Sequence, residues 1–140
     1  MKIAVGCDHG GFDLKRLIVP LLKESGHEIN DQGCNSNESV DYPDFARLVC
    51  ILVEKGACDC GILICGTGIG MSMAANRSSA IRAALCHESF TAKMSREHND
   101  ANVLCLGARV IGPGLAIEIV RTWLAAEFVG GRHLKRISMF

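Results

Sequence analysis

Apolar positions along the chain follow two rhythms. Short runs of strand length occupy residues 2–7, 61–65, 81–86 and 103–106, each bounded by glycine or polar residues. Between them apolar side chains recur three and four apart, the spacing of a helix with one buried face. In residues 12–24 that face is Phe12, Leu14, Leu17, Ile18, Leu21 and Leu22. Pro20 stands inside the segment, where its missing N–H and its ring predict a kink or an interruption. Gly26 closes this helix. Residues 27–31 read as a short second strand, 33–41 as a polar loop, and 43–55 as a second helix with Pro43 in its first turn and Asp41 near the cap. Further helices are predicted over 89–97 and, as a long final element, over 113–127. Strands alternating with helices imply a parallel sheet covered on both faces.

The densest signal lies where the run 61–65 meets glycines at alternate positions, Gly61-Ile62-Leu63-Ile64-Cys65-Gly66-Thr67-Gly68-Ile69-Gly70-Met71. It reads as a strand, a tight loop and a helix that Ala74-Ala75 open. Such a loop turns successive backbone N–H groups toward negative charge. Cys65 sits at its lip, where the same groups favour a thiolate. The order Gly-x-Gly-x-Gly is not the Gly-x-Gly-x-x-Gly of a dinucleotide site, so NAD binding is disfavoured. A Cys-x5-Arg phosphatase loop fails too, because Met71 stands where the arginine belongs. The plainer alternative is that the glycines let a strand turn closely into a helix and Cys65 is a small buried hydrophobe.

Composition narrows the partners. Fifteen basic and fifteen acidic residues give zero formal charge, with no basic surface for nucleic acid or membrane and no acidic tail. Small molecules remain the expected partners. Eight cysteines would suit a disulfide framework in a small secreted chain, but this one is apolar rather than loop-rich and opens on a strand, with no signal peptide before it. Free thiols in a cytoplasmic protein are the expectation. No apolar run reaches the ~18 residues of a membrane span. Cys58-Asp59-Cys60 has no partner pair at zinc spacing, so no metal is expected.

In open α/β sheets the ligand lies beyond the carboxyl ends of the strands, near a switch in strand order. Polar residues gather there: Asp8 and His9 after the first strand, Cys65 to Gly70 after the third, and Arg109 after the fifth. His98-Asn99-Asp100 precedes the fifth strand and is expected to fold back to join them, although a lone histidine in that place is otherwise a surface or capping residue. His27, His87 and His133 have no such context. The architecture expected is a three-layer α/β/α, Rossmann-like fold with a five-stranded parallel sheet, one domain over residues 1–140.

Eight motifs carry a resemblance that spans nearly the whole chain in order. They are Gly6-Cys-Asp-His-Gly-Gly11, Asp41-Tyr-Pro43, the strand and loop 61–70, Ala74-Ala-Asn76, Ser95-Arg-Glu-His-Asn-Asp100, Asn102-Val103, Gly107-Ala-Arg109 and Gly130-Gly-Arg132. Together they closely resemble type B ribose-5-phosphate isomerase, of the family that also holds hexose-6-phosphate isomerases. The resemblance implies a cytosolic, usually dimeric enzyme without metal or cofactor. Its reaction is the interconversion of D-ribose 5-phosphate and D-ribulose 5-phosphate through a cis-enediolate, in the non-oxidative pentose phosphate pathway.

It also implies roles. Cys65 matches the family's base and His98, assisted by Thr67, the residue that opens the sugar ring. The loop Gly66, Gly68, Ile69 and Gly70 would hold the enediolate, with Asp8, His9 and Asn99 as further substrate-binding positions. Arg109, Arg132 and Arg136 would hold the phosphate, whose oxygens suit a planar guanidinium. One branch of the family has serine for the cysteine and a glutamate just after the loop. Here those positions are Cys65 and Met71, which favours the cysteine route. Arg132 and Arg136 share a face if helical, and Gly130-Gly131 frees them to reach the site of a second chain. On spacing alone they are a solvated helix face. Two other readings stay open: a hexose-6-phosphate isomerase on the same scaffold, and a phosphosugar-binding module without chemistry, against which Cys65, Thr67 and His98 together speak. The reaction leaves the cysteines at 34, 50, 58, 60 and 86 unexplained.

Overall fold

The computed structural model describes all of Met1–Phe140. The elements in order are β1 (Lys2–Cys7), α1 (Phe12–Glu24), β2 (Glu28–Asp31), α2 (Tyr42–Glu54), β3 (Cys60–Cys65), α3 (Ile69–Ala75), β4 (Ala83–Leu85), α4 (Ser89–Asn99), β5 (Val103–Gly107), α5 (Pro113–Ala125) and α6 (Arg132–Ile137). The five strands form one all-parallel sheet in the order β2-β1-β3-β5-β4.

Alternation along the central strands decides which helix lies where, since successive side chains point to opposite faces. Ile3, Val5, Cys7, Ile62, Ile64, Leu104 and Leu106 face one layer, where Leu14, Ile18 and Leu22 of α1, Ala92 of α4, and Ile119 and Trp123 of α5 meet them. Ala4, Leu63, Cys65, Val103 and Cys105 face the other, against Ala46, Val49 and Cys50 of α2 and Met71 and Ala75 of α3. The result is the expected three-layer α/β/α arrangement. The strand order reverses between β1 and β3, so the crevice of the sheet opens beyond Cys7 and Cys65.

The element boundaries depart from the sequence reading in five places. α1 runs unbroken through Pro20: that residue and Arg16, whose carbonyl loses its N–H partner, both lie on the exposed side of the helix. α3 begins at Ile69, and Ala75 ends it instead of opening it. β4 is confined to three residues of an edge strand that pairs only with β5. α4 continues to Asn99, so His98 lies in its last turn. α5 stops at Ala125, and α6 follows it as the final helix.

Two buried contacts place the loops above the crevice. Lys15, 3% exposed, pairs with Asp31 at 2.7 Å and donates to the Cys34 carbonyl at 3.0 Å, which ties the loop after β2 to α1. At the start of α1, Gly11 approaches β3 so closely that a Cβ there would collide with the Ile64 carbonyl. All eight cysteines are free. No helix is long and apolar enough to cross a membrane.

Gly11→Ala should therefore destabilise the fold by about 1–3 kcal/mol, the cost of overpacking against a backbone that cannot retreat. Gly114→Ala, in the first turn of α5 with nothing within 4 Å of the added methyl, should instead stabilise by up to ~1 kcal/mol. Urea midpoints of the two variants against the parent check both signs.

Candidate active site

Three loops meet at the carboxyl edge of the sheet and are laced by backbone hydrogen bonds. Asp8 donates its N–H to the Ile64 carbonyl at 3.1 Å, and Ala108 and Arg109 donate theirs to the Cys65 and Gly66 carbonyls at 2.9 Å each. Asp8 is 7% exposed, and its Oδ1 accepts from the N–H groups of Gly10 and Gly11 at 2.8 and 3.1 Å. His9 accepts the Val40 N–H on Nδ1 at 3.2 Å, which places the ring proton on Nε2. Arg109 folds its guanidinium over Gly66.

Cys65 lies in the centre of these loops, 5% exposed, and its Sγ accepts the N–H of Gly68 at 3.1 Å. Gly68 makes this possible because it has φ 76, a left-handed conformation in which a side chain would be strained, and it packs against Leu85 and Leu106. Thr67 is exposed, with its hydroxyl accepting the Ile69 N–H at 3.3 Å. The N–H groups of Gly66 and Thr67 donate to no acceptor within the chain. Burial pushes the Cys50 thiol up to about 11 and the Cys60 thiol up to about 12, and it raises Cys7, Cys58, Cys86 and Cys105 as well. Those six behave as small apolar core residues.

His98 and Asn99 do not fold back to join Cys65 within the chain. A helix linking two parallel strands ends beside the start of the second, so α4 delivers them to the opposite edge of the sheet. They are held there: Arg82, just before β4, donates to the Asn99 and Asp100 carbonyls at 3.1 and 2.9 Å and pairs with the Asp100 carboxylate at 2.7 Å. Cys65 is paired with Gly107 at the far end of β5. The two groups are thus separated by a strand length, roughly 13 Å.

Arg132 and Arg136 stand with His98. His133 of α6 stacks on the His98 ring, with centroids 4.0 Å apart and planes 5° from parallel. Both arginines are exposed, and the ion pairs of the chain use neither them nor Arg109. The chain therefore presents two clusters. Asp8, His9, Cys65, the loop Gly66–Gly70 and Arg109 form one at the carboxyl edge; His98, Asn99, Arg132 and Arg136 form the other.

Residues 3–140 match the model of the Ribose/Galactose Isomerase family. The chain belongs to this family. It is 53% identical to ribose-5-phosphate isomerase B of Escherichia coli over 137 residues, 98% of this chain and 92% of that one. Among solved structures, ribose-5-phosphate isomerase B of Clostridium thermocellum superposes with a TM-score of 0.98 at 58% identity, covering 99% of this chain and 94% of that one. The enzyme of the same name from Mycoplasma genitalium, with bound ribulose 5-phosphate, superposes with a TM-score of 0.95 at 44% identity, covering 99% and 92%.

In this member of the family, two further residues stand at the carboxyl edge that the sequence reading gave no role. Tyr42, the first residue of α2, lays its ring where a side chain on Gly70 would be. Its only sequence signal was the Asp41-Tyr-Pro43 motif. His87, just after β4, brings Nε2 within 3.4 Å of the Thr67 carbonyl, so that nitrogen is the donor. Nothing in sequence spacing places His133 on His98, so its position too is visible only in the fold.

The His133 pairing has a pH consequence. Burial, then His98 and the guanidiniums of Arg132 and Arg136, hold the His133 imidazole below its ordinary value. The folded state thus favours the neutral ring. The stability this contributes is complete above the unfolded value of about 6.5 and is lost as pH falls through the lowered folded one. Acidification from about pH 7.5 to about pH 5 should lower the Tm of His133→Phe less than that of the parent, measured by thermal denaturation at each pH.

Proposed function

We propose that the chain interconverts D-ribose 5-phosphate and D-ribulose 5-phosphate in the non-oxidative pentose phosphate pathway. In this reading residues 1–140 act as one isomerase domain, in the cytoplasm, within a homodimer whose active sites each draw on both chains. The observation that carries the reading is the Cys65 sulfur, held by the Gly68 N–H at 3.1 Å in the crevice beside Asp8. Ribulose 5-phosphate bound to the Mycoplasma relative supports a pentose phosphate as the substrate.

The reaction moves a carbonyl from C1 to C2. The furanose opens first: the ring oxygen gains a proton as the C1 hydroxyl loses one, a transfer that His98 mediates with Thr67. The Cys65 thiolate then removes the C2 proton, and the electron pair flows through C1 onto O1 to give the cis-enediolate. The free N–H groups of Gly66 and Thr67 lie where that negative charge develops, as donors of an oxyanion hole do. The O2 proton then passes to O1 as the O2 electron pair forms the C2 carbonyl and C1 takes back the proton from Cys65, which yields the ketose and restores the thiolate. Asp8, His9 and Asn99 orient the hydroxyls, and Arg109, Arg132 and Arg136 neutralise the phosphate. No metal ion or cofactor is needed for these proton transfers.

The division into two clusters supports the dimer. Neither cluster is a complete site, and a two-fold axis that sets the carboxyl edge of one copy against α4 and α6 of the other completes two sites at once. Large apolar side chains are exposed near both clusters, Ile69 and Met73 beside the loop and Leu134 and Phe140 on the tail, as expected of surfaces covered by a second copy.

Cys65→Ala should lower kcat by about 10² to 10⁴, the contribution of a general base, with KM changed less than about threefold. A variant keeping more than about a tenth of parental kcat would remove Cys65 from the role of base. Sharing of sites is tested by complementation. When Cys65→Ala and Arg136→Ala chains exchange subunits at random, each mixed dimer holds one doubly defective site and one intact site, so roughly a quarter of parental activity should return. Demonstrated exchange without recovery would mean that each site belongs to one chain.

A further inference from the structure

The hinge before α6 fixes nothing by packing of its own. Gly130 and Gly131 have φ 69 and 56, both left-handed, and neither has a neighbouring atom within 4 Å of the side-chain position. The helix they introduce has only six residues, too few to hold its own shape by propensity. Its placement therefore depends on what its side chains touch. Ile137, with Phe140 beyond the helix, lines a groove shared with Ser95 and Asn99 of α4. His133, 9% exposed, lies flat on His98. Just ahead of the hinge, the Val129 N–H donates to the Glu97 carbonyl at 3.0 Å.

His98 needs such a support. It sits in the last turn of α4 and is partly exposed, and no hydrogen bond of its own holds its ring. An imidazole that transfers a proton to a sugar oxygen must present its nitrogen along a narrow direction, and a free χ rotation loses that alignment. The His133 ring removes this freedom by covering one face of it. We propose that His133 is a positioning residue: its ring holds the His98 imidazole in the orientation for ring opening and makes that imidazole move as one body with the phosphate-binding arginines of α6. Arg132 and Arg136 flank His133 on the same short helix, so a phosphate that seats them also seats the stack, and through it His98. Substrates lacking the phosphate would lose ring opening along with binding. The neutral state of His133 is consistent with this role, because a second cation on the face of His98 would repel it whenever His98 carries a proton.

The proposal rests on the reading of His98 as the ring-opening residue, and the experiment separates the two. The variants are His133→Ala, which removes the stack, His133→Phe, which keeps a flat ring without imidazole chemistry, and His98→Asn. Two rates are measured for each: conversion of ribose 5-phosphate, which is cyclic, and solvent deuterium incorporation at C1 of ribulose 5-phosphate, which has no furanose form and so bypasses ring opening. His133→Ala should lower kcat for ribose 5-phosphate at least about tenfold while deuterium incorporation stays within about twofold of the parent. His133→Phe should recover most of the lost kcat. Circular dichroism and molecular mass confirm that each variant is folded and assembled. The proposal is overturned if His133→Ala leaves ribose 5-phosphate turnover intact or lowers both rates alike. It is also overturned if a folded His133→Phe is no better than His133→Ala. Should His98→Asn itself slow both rates equally, the reading of His98 fails, and the positioning role fails with it; selective loss in His98→Asn with no effect of His133→Ala refutes the positioning role alone.

Discussion

A helix that links two parallel strands starts at the carboxyl edge of the sheet and finishes at the amino edge. Nearly everything about this chain's chemistry depends on that constraint. The glycine loop and Cys65 follow β3 directly, so they stand at the carboxyl edge, where the lacing of three loops shapes a crevice. His98 and Asn99 close α4, so they stand at the other edge, locked by Arg82 and Asp100. No rotation of side chains brings these groups together across a strand length. On our reading a single chain carries both halves of the site but cannot assemble them, so the proposed two-fold dimer is a consequence of helix direction before it is a matter of interface.

Within the carboxyl edge, backbone geometry rather than side-chain identity gives Cys65 its place. Cys65 and Cys105 both face the α2 and α3 layer, and both are buried. Cys105 lies inside β5, surrounded by apolar groups that disfavour its ionised form. Cys65 is the last residue of β3, so the chain turns immediately after it, and the turn brings the Gly68 N–H to its sulfur. That turn requires the left-handed Gly68 and the lacing that keeps Cys65 and Gly66 carbonyls bonded to the loop after β5.

The sheet was legible because its central strands are buried on both faces, which leaves uninterrupted apolar runs in the sequence. The carboxyl-edge residues were legible for the same reason, since a strand identified at its end also locates the loop that follows. What escaped the sequence was set by contacts between distant segments. α3 starts five residues before Ala74 because Gly68 caps it, and in sequence a glycine between glycines reads only as loop. α6 was hidden because six residues after Gly130-Gly131 show no period, and its position comes from His98 and the groove beside α4. The motif Ser95-Arg-Glu-His-Asn-Asp100 singled out His98 yet suggested the wrong edge, because proximity to β5 in sequence says nothing about which end of β5 it approaches. Tyr42 and His87 lie beside the loop only because α2 begins and β4 ends at the carboxyl edge.

Coupling the proposed ring-opening residue His98 to the proposed phosphate-binding arginines of α6 through one ring stack has an energetic logic. A sugar phosphate carries its charge at the end remote from C1 and C2, where the bonds change. Binding energy from the phosphate can lower the barrier at the other end only if something rigid connects the two. In this fold the connection is short: Arg132 and Arg136 on α6, the stacked rings of His133 and His98, and the end of α4. In the proposed dimer Cys65 lies outside that connection, fixed by the sheet of the other chain. On that proposal the base would be held by the central sheet, and the ring-opening group by the segment that meets the phosphate. Such an arrangement would delay exposure of the open-chain aldehyde until the substrate is held at both ends, and an enzyme that makes a reactive carbonyl benefits from that order.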